Sequence, residues 1–280
     1  MEIQSLSICV PTKGCVNNCK FCVSRMHENE YKNFYNKIEI KKRMQFARDN
    51  DCNTLIFTGT GEPLQNKHYL KKIAEINNEL PSPFVWIEFQ TSGVMLDLEN
   101  LNFLKEIGIT TISLSLANIF NSDRNAEICQ MSKSLKFDIP TVCKKIKNLN
   151  FNLRISLNMT SDYNNFKPEE IFNACEELGA DQITFRELYT ADENSEQSQW
   201  VQKHKMDSDA FNMLREFIIL HGKKLEILPF GAIKYSYKEM STVIDSDCMA
   251  EDVKFALKYL ILRENKKLYS RWDDKGSLIF

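Results

Sequence analysis

Three cysteines lie close together near the N-terminus, in the sequence CVNNCKFC at residues 15–22. Three residues separate Cys15 from Cys19, and two separate Cys19 from Cys22. Cysteine thiolates bind zinc and iron–sulfur clusters. Structural zinc normally takes four ligands, whereas three thiolates on a four-iron cubane leave one iron open to an outside ligand. The spacing therefore favours an iron–sulfur cluster with an open position.

The remaining cysteines do not supply an obvious fourth ligand. Cys9 lies inside a strand-like run and Cys52 at the expected end of a helix, so both are predicted to be buried core thiols. The first residues, MEIQSLSICVP, lack the basic and apolar segments of an export signal. We therefore expect a cytoplasmic protein whose nine cysteines are free thiols or metal ligands rather than disulfides.

A glycine-containing motif, GTGEP at residues 59–63, follows a strand-like run. Two glycines at a strand end allow exposed backbone to approach a ligand closely. By itself the motif also fits an ordinary turn between a strand and a helix.

Strand-like and helical segments alternate over the first two thirds of the chain. The strand-like runs are SLSICV (5–10), TLIFTG (54–59), FVWIEFQ (84–90), TTISLSL (110–116), FNLRISL (151–157) and QITFREL (182–188). Amphipathic helices are predicted at 69–80, 98–108 and 168–180. This alternation indicates an α/β fold whose parallel sheet is either doubly wound or curled into a partial barrel.

In both architectures the active or binding site lies at the carboxyl ends of the strands. The cysteine motif follows the first predicted strand, GTGEP follows the second, and QTSG (90–93) follows the third. These three motifs are therefore expected to meet on one face of the sheet.

The cysteine spacing after a first strand, with GTGEP after the second, resembles the radical S-adenosylmethionine (radical SAM) superfamily. The resemblance covers about residues 3–190. It implies a partial (β/α)6 TIM-like barrel and one [4Fe–4S] cluster on Cys15, Cys19 and Cys22, whose fourth iron binds S-adenosylmethionine. Reductive cleavage of that cofactor would give a 5′-deoxyadenosyl radical that abstracts hydrogen from a substrate. An electron donor such as flavodoxin or ferredoxin is implied as a partner.

The resemblance assigns cofactor contacts to both motifs. Phe21, just before the last cysteine, stands where the family has an aromatic residue near the adenine. Gly59, Thr60, Gly61 and Glu62 stand in place of the family's GGE motif, with Thr60 replacing the middle glycine. Glu62, or backbone carbonyl groups beside it, would receive the methionine ammonium group.

Later strands offer further candidates on alternating positions. Ser113 and Ser115 share one face of the fourth strand, where family members often contact the ribose or carboxylate of the cofactor. Arg154, Ser156 and Asn158 share one face of the fifth, and a guanidinium group suits the cofactor carboxylate. A sheet hydroxyl and a structural ion pair are the alternative interpretations of the serines and of Arg154.

The sixth strand can present only one of its two faces to the barrel interior. Thr184, Arg186 and Leu188 lie on one face, and Phe185 and Glu187 on the other. We favour Arg186 as the inward residue, anchoring an anionic substrate or the cofactor, and keep Phe185 as a candidate cofactor contact.

Residues 191–280 are predicted to form a small α+β appendage to a barrel of residues 1–190. The sequence TADENSEQSQWVQKH (190–204) is loop-like, a helix is expected at 207–222, and ENKK (264–267) is expected to turn a hairpin. The region resembles one that carries auxiliary clusters in relatives, but only Cys248 is present, so no second cluster is expected. Cys248 is a packing residue or a substrate-facing thiol, and Trp272 is a candidate substrate contact.

Composition limits the function classes. Hydrophobic residues make up 43% of the 280, and the formal net charge is −2. A basic face for nucleic acid is therefore not required, and no apolar run is long enough to span a membrane. We favour a small-molecule, nucleotide or ribosomal-peptide substrate. The alternatives are a glycyl-radical enzyme activase, an RNA-modifying enzyme, and a non-catalytic iron–sulfur or zinc module.

Overall fold

A single open sheet carries most of the fold in the computed structural model, which describes residues 2–26, 35–190, 194–228, 231–245, 256–272 and 275–280. The strands are β1 Glu2–Ile3, β2 Ser5–Cys9, β3 Thr54–Thr58, β4 Trp86–Thr91, β5 Thr111–Leu116, β6 Asn152–Met159, β7 Gln182–Glu187, β8 Lys223–Ile227, β9 Ile233–Tyr237, β10 Met240–Asp245, β11 Ala256–Leu257, β12 Leu260–Leu262 and β13 Leu268–Tyr269. All six predicted strands are present, with ends shifted by up to two residues.

Eight α-helices connect or cover these strands in the described part of the chain. They are α1 Lys37–Asp49, α2 Lys67–Asn78, α3 Leu98–Glu106, α4 Ser122–Ile128, α5 Ile139–Asn148, α6 Pro168–Glu177, α7 Glu196–His204 and α8 Ser208–His221. Side-chain oxygens of Asn36, Asn66, Asp97, Asn121 and Asp138 accept hydrogen bonds from backbone N–H groups at the starts of α1 to α5. These caps explain where the helices begin.

The strand order distinguishes a barrel from a doubly wound sheet. Strands β2 to β7 are neighbours in chain order, and every adjacent pair is parallel. A doubly wound sheet reverses its order at a switch point, and this sheet does not. The expected partial barrel of the TIM type is therefore confirmed.

The two faces of the sheet differ in polarity. The outer face packs against the helices through apolar residues such as Leu55, Phe57, Phe89 and Ile155. The inner face lines a polar cavity, here called the lumen, with residues that include Ser5, Glu88, Gln90, Arg154, Thr184 and Arg186. Parallel strands covered by helices on both faces usually read as continuous apolar runs. The alternation here reflects a sheet with only one apolar side.

The C-terminal residues extend this sheet at both edges. Strand β12 joins β2 and β10 joins β7, both in parallel. Strand β13 pairs antiparallel with β12 across residues 263–267, which confirms the predicted hairpin turn at ENKK. The predicted helix at 207–222 is α8. Cys248 lies outside the described residues.

Strand β10 was not among the predicted strands, and its turn explains why. Only Lys238 and Glu239 separate Tyr237 of β9 from Met240 of β10, and both have positive φ angles of 49° and 62°. Two-residue hairpins of this kind favour Asn-Gly or Asp-Gly. Lys-Glu carries no such signal. The Lys238 ammonium instead forms an ion pair with Glu176 on α6, at 2.7 Å.

We predict that Glu239→Gly stabilises the protein. A residue with a side chain in the left-handed region is strained by about 1–2 kcal/mol. Glycine removes that strain, but it also makes the unfolded chain more flexible, which cancels part of the gain. Urea denaturation should show an increase of about 0.5–1 kcal/mol in the free energy of unfolding. The control Glu216→Gly, on an exposed helical position of α8, should lower it by about 0.5–1 kcal/mol. A loss of stability in Glu239→Gly would contradict the turn geometry.

Candidate active site

The cysteine motif lies on the loop that follows β2, at the carboxyl end of the parallel strands. Cys15, Cys19 and Cys22 are free thiols of intermediate exposure. The Cys22 backbone N–H donates to the Cys19 carbonyl at 3.2 Å. Burial raises the pKa of Cys15 and of Cys22, and neighbouring cysteines of the motif raise each further. The loop therefore holds three thiols close enough to influence one another.

Two other segments hold this loop in place. The Asn66 amide donates to the Pro11 carbonyl at 2.8 Å, and the Val16 N–H donates to the Gln65 side chain at 3.3 Å. On the other side, the Asn18 N–H donates to the Cys129 carbonyl at 3.3 Å and the Lys20 N–H to the Ile128 carbonyl at 3.1 Å. The loop is thus bonded to the segment after β3 and to the end of α4.

The glycines of GTGEP make the contact with the cysteine loop possible. A Cβ on Gly61 would lie 2.3 Å from the Thr12 hydroxyl and 2.7 Å from the Gly14 carbonyl oxygen. A Cβ on Gly59 would lie 2.8 Å from the Val10 carbonyl oxygen. The sequence predicted close approach of this backbone to a ligand. In the structure, the groups that approach closely are those of the cysteine loop itself.

Glu62 joins the second strand end to the third. Its carboxylate accepts from the Thr91 hydroxyl at 2.9 Å, the Ser92 N–H at 3.0 Å and the Ser92 hydroxyl at 2.8 Å. The residue is 3% exposed, and this burial raises the pKa of Glu62 despite these bonds. The three motifs do meet at one end of the sheet. Three donors bond to the Glu62 carboxylate, which has about four acceptor positions, so its contact with an ammonium group stays a prediction, with the neighbouring backbone carbonyl groups as the alternative acceptors.

Thr60 also has a protein partner. Its hydroxyl donates to the Glu264 carboxylate at 3.0 Å, so the side chain faces the turn between β12 and β13. The hydroxyl therefore has a protein partner, and a cofactor contact through the backbone of Thr60 stays a prediction. The ENKK turn therefore lies against the GTGEP segment.

Phe21 packs against a residue that the sequence did not single out. Its ring centroid lies 6.4 Å from that of Trp200 on α7, and Trp200 stacks on His204 at 4.4 Å. Residues 190–204 were predicted to be a loop because they are polar. Residues 196–204 instead form α7, which begins after the N-cap Ser195. A serine followed by an acidic first turn was the available signal.

The inner-face candidates on β5 and β6 lie at different heights in the lumen. Near the carboxyl ends, the Asn158 amide donates to the Ser115 hydroxyl at 3.0 Å and to the Leu116 carbonyl at 3.3 Å. Ser113 is 1% exposed and lies beside Arg154 in the parallel register. Ser115 and Asn158 are thus the members of this set nearest the cysteine loop.

Arg154 is not placed for a cofactor carboxylate at the strand ends. It lies four residues before Asn158 on β6, about 13 Å lower along the strand. Its guanidinium pairs with the buried Glu88 carboxylate and donates from Nε to the Gln182 side chain at 2.8 Å. The structural ion pair considered as an alternative is therefore the correct interpretation. The Glu88 carboxylate is the buried member of the pair and requires such a partner.

Phe185 is wrong as a cofactor contact, because it lies on the outer face. It is fully buried, and its ring packs edge-on against Phe172 of α6 with centroids 5.2 Å apart. Thr184 and Arg186 line the lumen on the opposite face of β7, as the parity argument favoured. Apolar packing against the helices determines which side of this strand turns outward.

Trp272 lies on the inner side of the β2 edge. It packs with buried Cys9 and Tyr269 and with Tyr259, whose ring centroid is 6.4 Å away. Tyr259 itself lines the lumen. Cys9 and Cys52 are buried core thiols as predicted, and burial raises the pKa of each to about 12.

The residues around the loop fit an iron–sulfur cluster. Asn17 is 2% exposed, and within the described residues neither atom of its side-chain amide has a hydrogen-bond partner; the same holds for the Thr12 hydroxyl. Buried polar groups without partners are unfavourable by about 1–3 kcal/mol, so both suit a bound group with hydrogen-bonding atoms. No three Cys, His, Asp or Glu side chains of the described ranges converge on one ion. A cubane does not require this, because each cysteine binds a different iron.

Comparison with known proteins identifies the domain. Residues 9–132 match the model of the radical SAM superfamily. The chain therefore carries a domain of this enzyme superfamily, and the resemblance seen in the two motifs is confirmed.

Individual relatives match at low identity. A stretch of 130 residues is 29% identical to the 5-amino-6-(D-ribitylamino)uracil–L-tyrosine 4-hydroxyphenyl transferase of Methanocaldococcus jannaschii, covering 42% of this chain and 36% of that protein. The structure of anSMEcpe with bound AdoMet matches with a TM-score of 0.66 at 13% identity, over 99% of this chain and 77% of that chain. Streptococcus suis SuiB bound to its precursor peptide SuiA matches with a TM-score of 0.60 at 16% identity, over 95% and 59%. These structural matches show the fold, and the alignments span just over a third of the transferase and three fifths of SuiB.

Among the residues that the structure describes, no helix combines the length and apolar character needed to cross a bilayer.

We predict that Gly61→Ala displaces the cysteine loop. The added methyl group would overlap Thr12 and Gly14, and overpacking of this kind is destabilising by about 1–3 kcal/mol. The midpoint temperature of thermal unfolding should decrease, and so should the iron content after anaerobic reconstitution. The control Thr60→Ala lies between the two glycines and removes a hydroxyl without adding volume, so it should retain its iron. Normal iron content in Gly61→Ala would show that the loop does not depend on this close approach.

Proposed function

We propose that this protein is a radical SAM enzyme that holds one [4Fe–4S] cluster on Cys15, Cys19 and Cys22. The observation that carries the proposal is the close packing of the cysteine loop on GTGEP at the carboxyl end of the strands. A loop that only bound metal would not require this second motif. Among the described residues, the buried side-chain amide of Asn17 and the Thr12 hydroxyl have no hydrogen-bond partner, which supports a bound group beside the cysteines.

Different residues of the chain are proposed to bind the cluster and the parts of S-adenosylmethionine. When bound, the cluster and S-adenosylmethionine together supply a 5′-deoxyadenosyl radical that abstracts a hydrogen atom from the substrate. Cys15, Cys19 and Cys22 would hold the cluster and leave one iron for the cofactor. The Glu62 carboxylate already accepts from Thr91 and Ser92, so the backbone carbonyl groups of residues 59–61 would serve beside it as acceptors for the ammonium group. Phe21, beside Trp200, offers an aromatic surface to the adenine.

The end of the lumen that faces the cysteine loop is the proposed substrate site. A cavity of about 230 Å³ lies in the lumen, lined by residues at the amino ends of the strands, such as Ser5 and Gln182, and by Gln90 and Arg186 nearer the carboxyl ends. Such walls suit a polar small molecule, a nucleotide or a polar side chain of a peptide. The relatives' names cover both ends of this range, because one acts on a ribitylaminouracil and L-tyrosine and another binds a precursor peptide. Ser115 and Asn158, near the carboxyl ends of β5 and β6, would lie between the cofactor and this space.

The remaining partner is the source of the electron. Reductive cleavage requires one electron per turnover, and we infer a small redox protein such as a flavodoxin or ferredoxin as its donor. Arg154 and Glu88 stabilise the lower part of the lumen through their ion pair, and we assign them no direct contact with the cofactor.

We predict that anaerobically reconstituted protein binds about four irons and releases 5′-deoxyadenosine from S-adenosylmethionine in the presence of dithionite. The triple variant Cys15→Ala, Cys19→Ala, Cys22→Ala should lose both the iron and the product, because it lacks all three proposed ligands. Iron content and chromatography of the nucleoside measure the two outcomes.

Cys52→Ala is the matched control for this experiment. Cys52 is a buried thiol just before β3, at the opposite end of this strand from GTGEP, so its removal should leave iron binding intact. Iron retained by the triple variant would overturn the assignment of the cluster ligands.

A further inference from the structure

The turn between β12 and β13 makes a side-chain contact with the middle residue of GTGEP. The Thr60 hydroxyl donates to the Glu264 carboxylate at 3.0 Å. Strand β12 pairs in parallel with β2, so the turn that follows β12 emerges at the carboxyl ends of the strands, on the side where the cysteine loop begins. A residue near the C-terminus therefore bonds to the second motif of the site.

The turn that carries Glu264 is itself anchored on both sides. The Asn265 side-chain amide donates to the Tyr269 hydroxyl at 2.9 Å, which ties the turn to β13. The Lys266 ammonium group forms an ion pair with Glu39 on α1, at 3.1 Å. Glu264 is thus presented to Thr60 from a fixed position, and the bond does not require the turn to move.

The position of Thr60 between two glycines makes such a bond consequential. A Cβ on Gly59 or Gly61 would lie within 2.8 Å of an atom of residues 10–14, so neither position can carry a side chain that anchors the segment. Glycine backbone also has the greatest conformational freedom. The bond from Thr60 to Glu264 therefore restricts the rotation of the peptide groups on both sides of Thr60.

We propose that Glu264 is a positioning residue that, through Thr60, holds the backbone carbonyl groups of residues 59–61 in the orientation that binds the ammonium group of S-adenosylmethionine. The inference rests on the proposed function, since it requires the cofactor at this segment. Acceptors that are oriented before binding reduce the entropy lost when the ligand binds. The hairpin of β12 and β13 thereby contributes to cofactor affinity, although it lies outside the matched residues 9–132.

The experiment measures the dissociation constant of S-adenosylmethionine in reconstituted full-length protein. Equilibrium dialysis with radiolabelled S-adenosylmethionine, without a reductant, keeps the readout independent of turnover. Thr60→Val removes the hydroxyl and retains the branched shape, and Glu264→Leu removes the acceptor. Thr60→Ser and Glu264→Gln are the conservative variants, because each retains a group that can form the bond.

Thr141→Val is the matched control. The Thr141 hydroxyl also donates to a carboxylate, that of Asp138, at 2.6 Å, but this bond lies at the start of α5. The control therefore removes a hydrogen bond of the same type from a position that does not contact GTGEP.

We expect Thr60→Val and Glu264→Leu each to raise the dissociation constant about fivefold to tenfold, the effect of losing a hydrogen bond to a charged group that acts indirectly. The double variant should match the single variants, because both changes remove the same bond. Thr60→Ser, Glu264→Gln and Thr141→Val should remain close to the wild type, and all variants should retain its iron content.

Three results would overturn the inference. An unchanged dissociation constant in Thr60→Val would show that the bond does not orient the cofactor acceptors. Additive losses in the double variant would show that the two residues act independently. Loss of iron in Thr60→Val would show that the bond supports the cysteine loop instead. Failure of the wild-type protein, with its full cluster, to bind S-adenosylmethionine would contradict the proposed function itself, so the two failures are distinguishable.

Discussion

The close approach of two backbone segments, residues 10–14 and 59–61, is the constraint on which the site depends. No side chain fits at Gly59 or Gly61, because the cysteine loop occupies the space where a Cβ would lie. This contact fixes the loop against the end of β3. Glu62, the next residue, then bonds to Thr91 and Ser92 at the end of β4. Three strand ends are thereby joined into one rigid surface beneath the thiols.

The two-sided character of the sheet positions the rest of the site. Apolar residues on the outer face pack against the helices, and the polar residues between them have to face inward. A buried polar face is stable only where its groups have partners. The pairs Arg154–Glu88 and Asn158–Ser115 provide such partners. The lumen is consequently polar along its length, which suits a substrate held by hydrogen bonds.

Much of this arrangement could be predicted from local sequence patterns. The cysteine spacing and the glycines at a strand end are local signals, and in the fold both motifs lie where predicted, at the carboxyl ends of the parallel strands. Alternation along QITFREL placed Arg186 and Phe185 on opposite faces, but their assignment to inside or outside needed the helix that packs on Phe185. Contacts between residues distant in the chain could not be predicted from such local patterns. Examples are Glu264 for Thr60, which is close because β12 pairs with β2, and Trp200 for Phe21, which is close because of where α7 packs.

Two structural elements were missed for related reasons. Helix α7 is polar because much of its surface is exposed, and its single tryptophan gave no periodic signal. Strand β10 follows a turn of Lys238 and Glu239, which do not belong to the residue types that favour positive φ. In both cases tertiary contacts stabilise an element whose local sequence is neutral. An ion pair with Glu176 holds the turn, and packing on Phe21 holds the helix.

The central claim is that three thiolates leave one iron open for S-adenosylmethionine. Electron paramagnetic resonance of the reduced, reconstituted protein before and after addition of S-adenosylmethionine tests it directly. Binding at the open iron predicts a changed signal, and S-adenosylmethionine labelled with ¹⁵N at the amino group should add a nitrogen coupling to that signal. An unchanged spectrum at saturating S-adenosylmethionine, from a protein that contains its full cluster, would contradict the account.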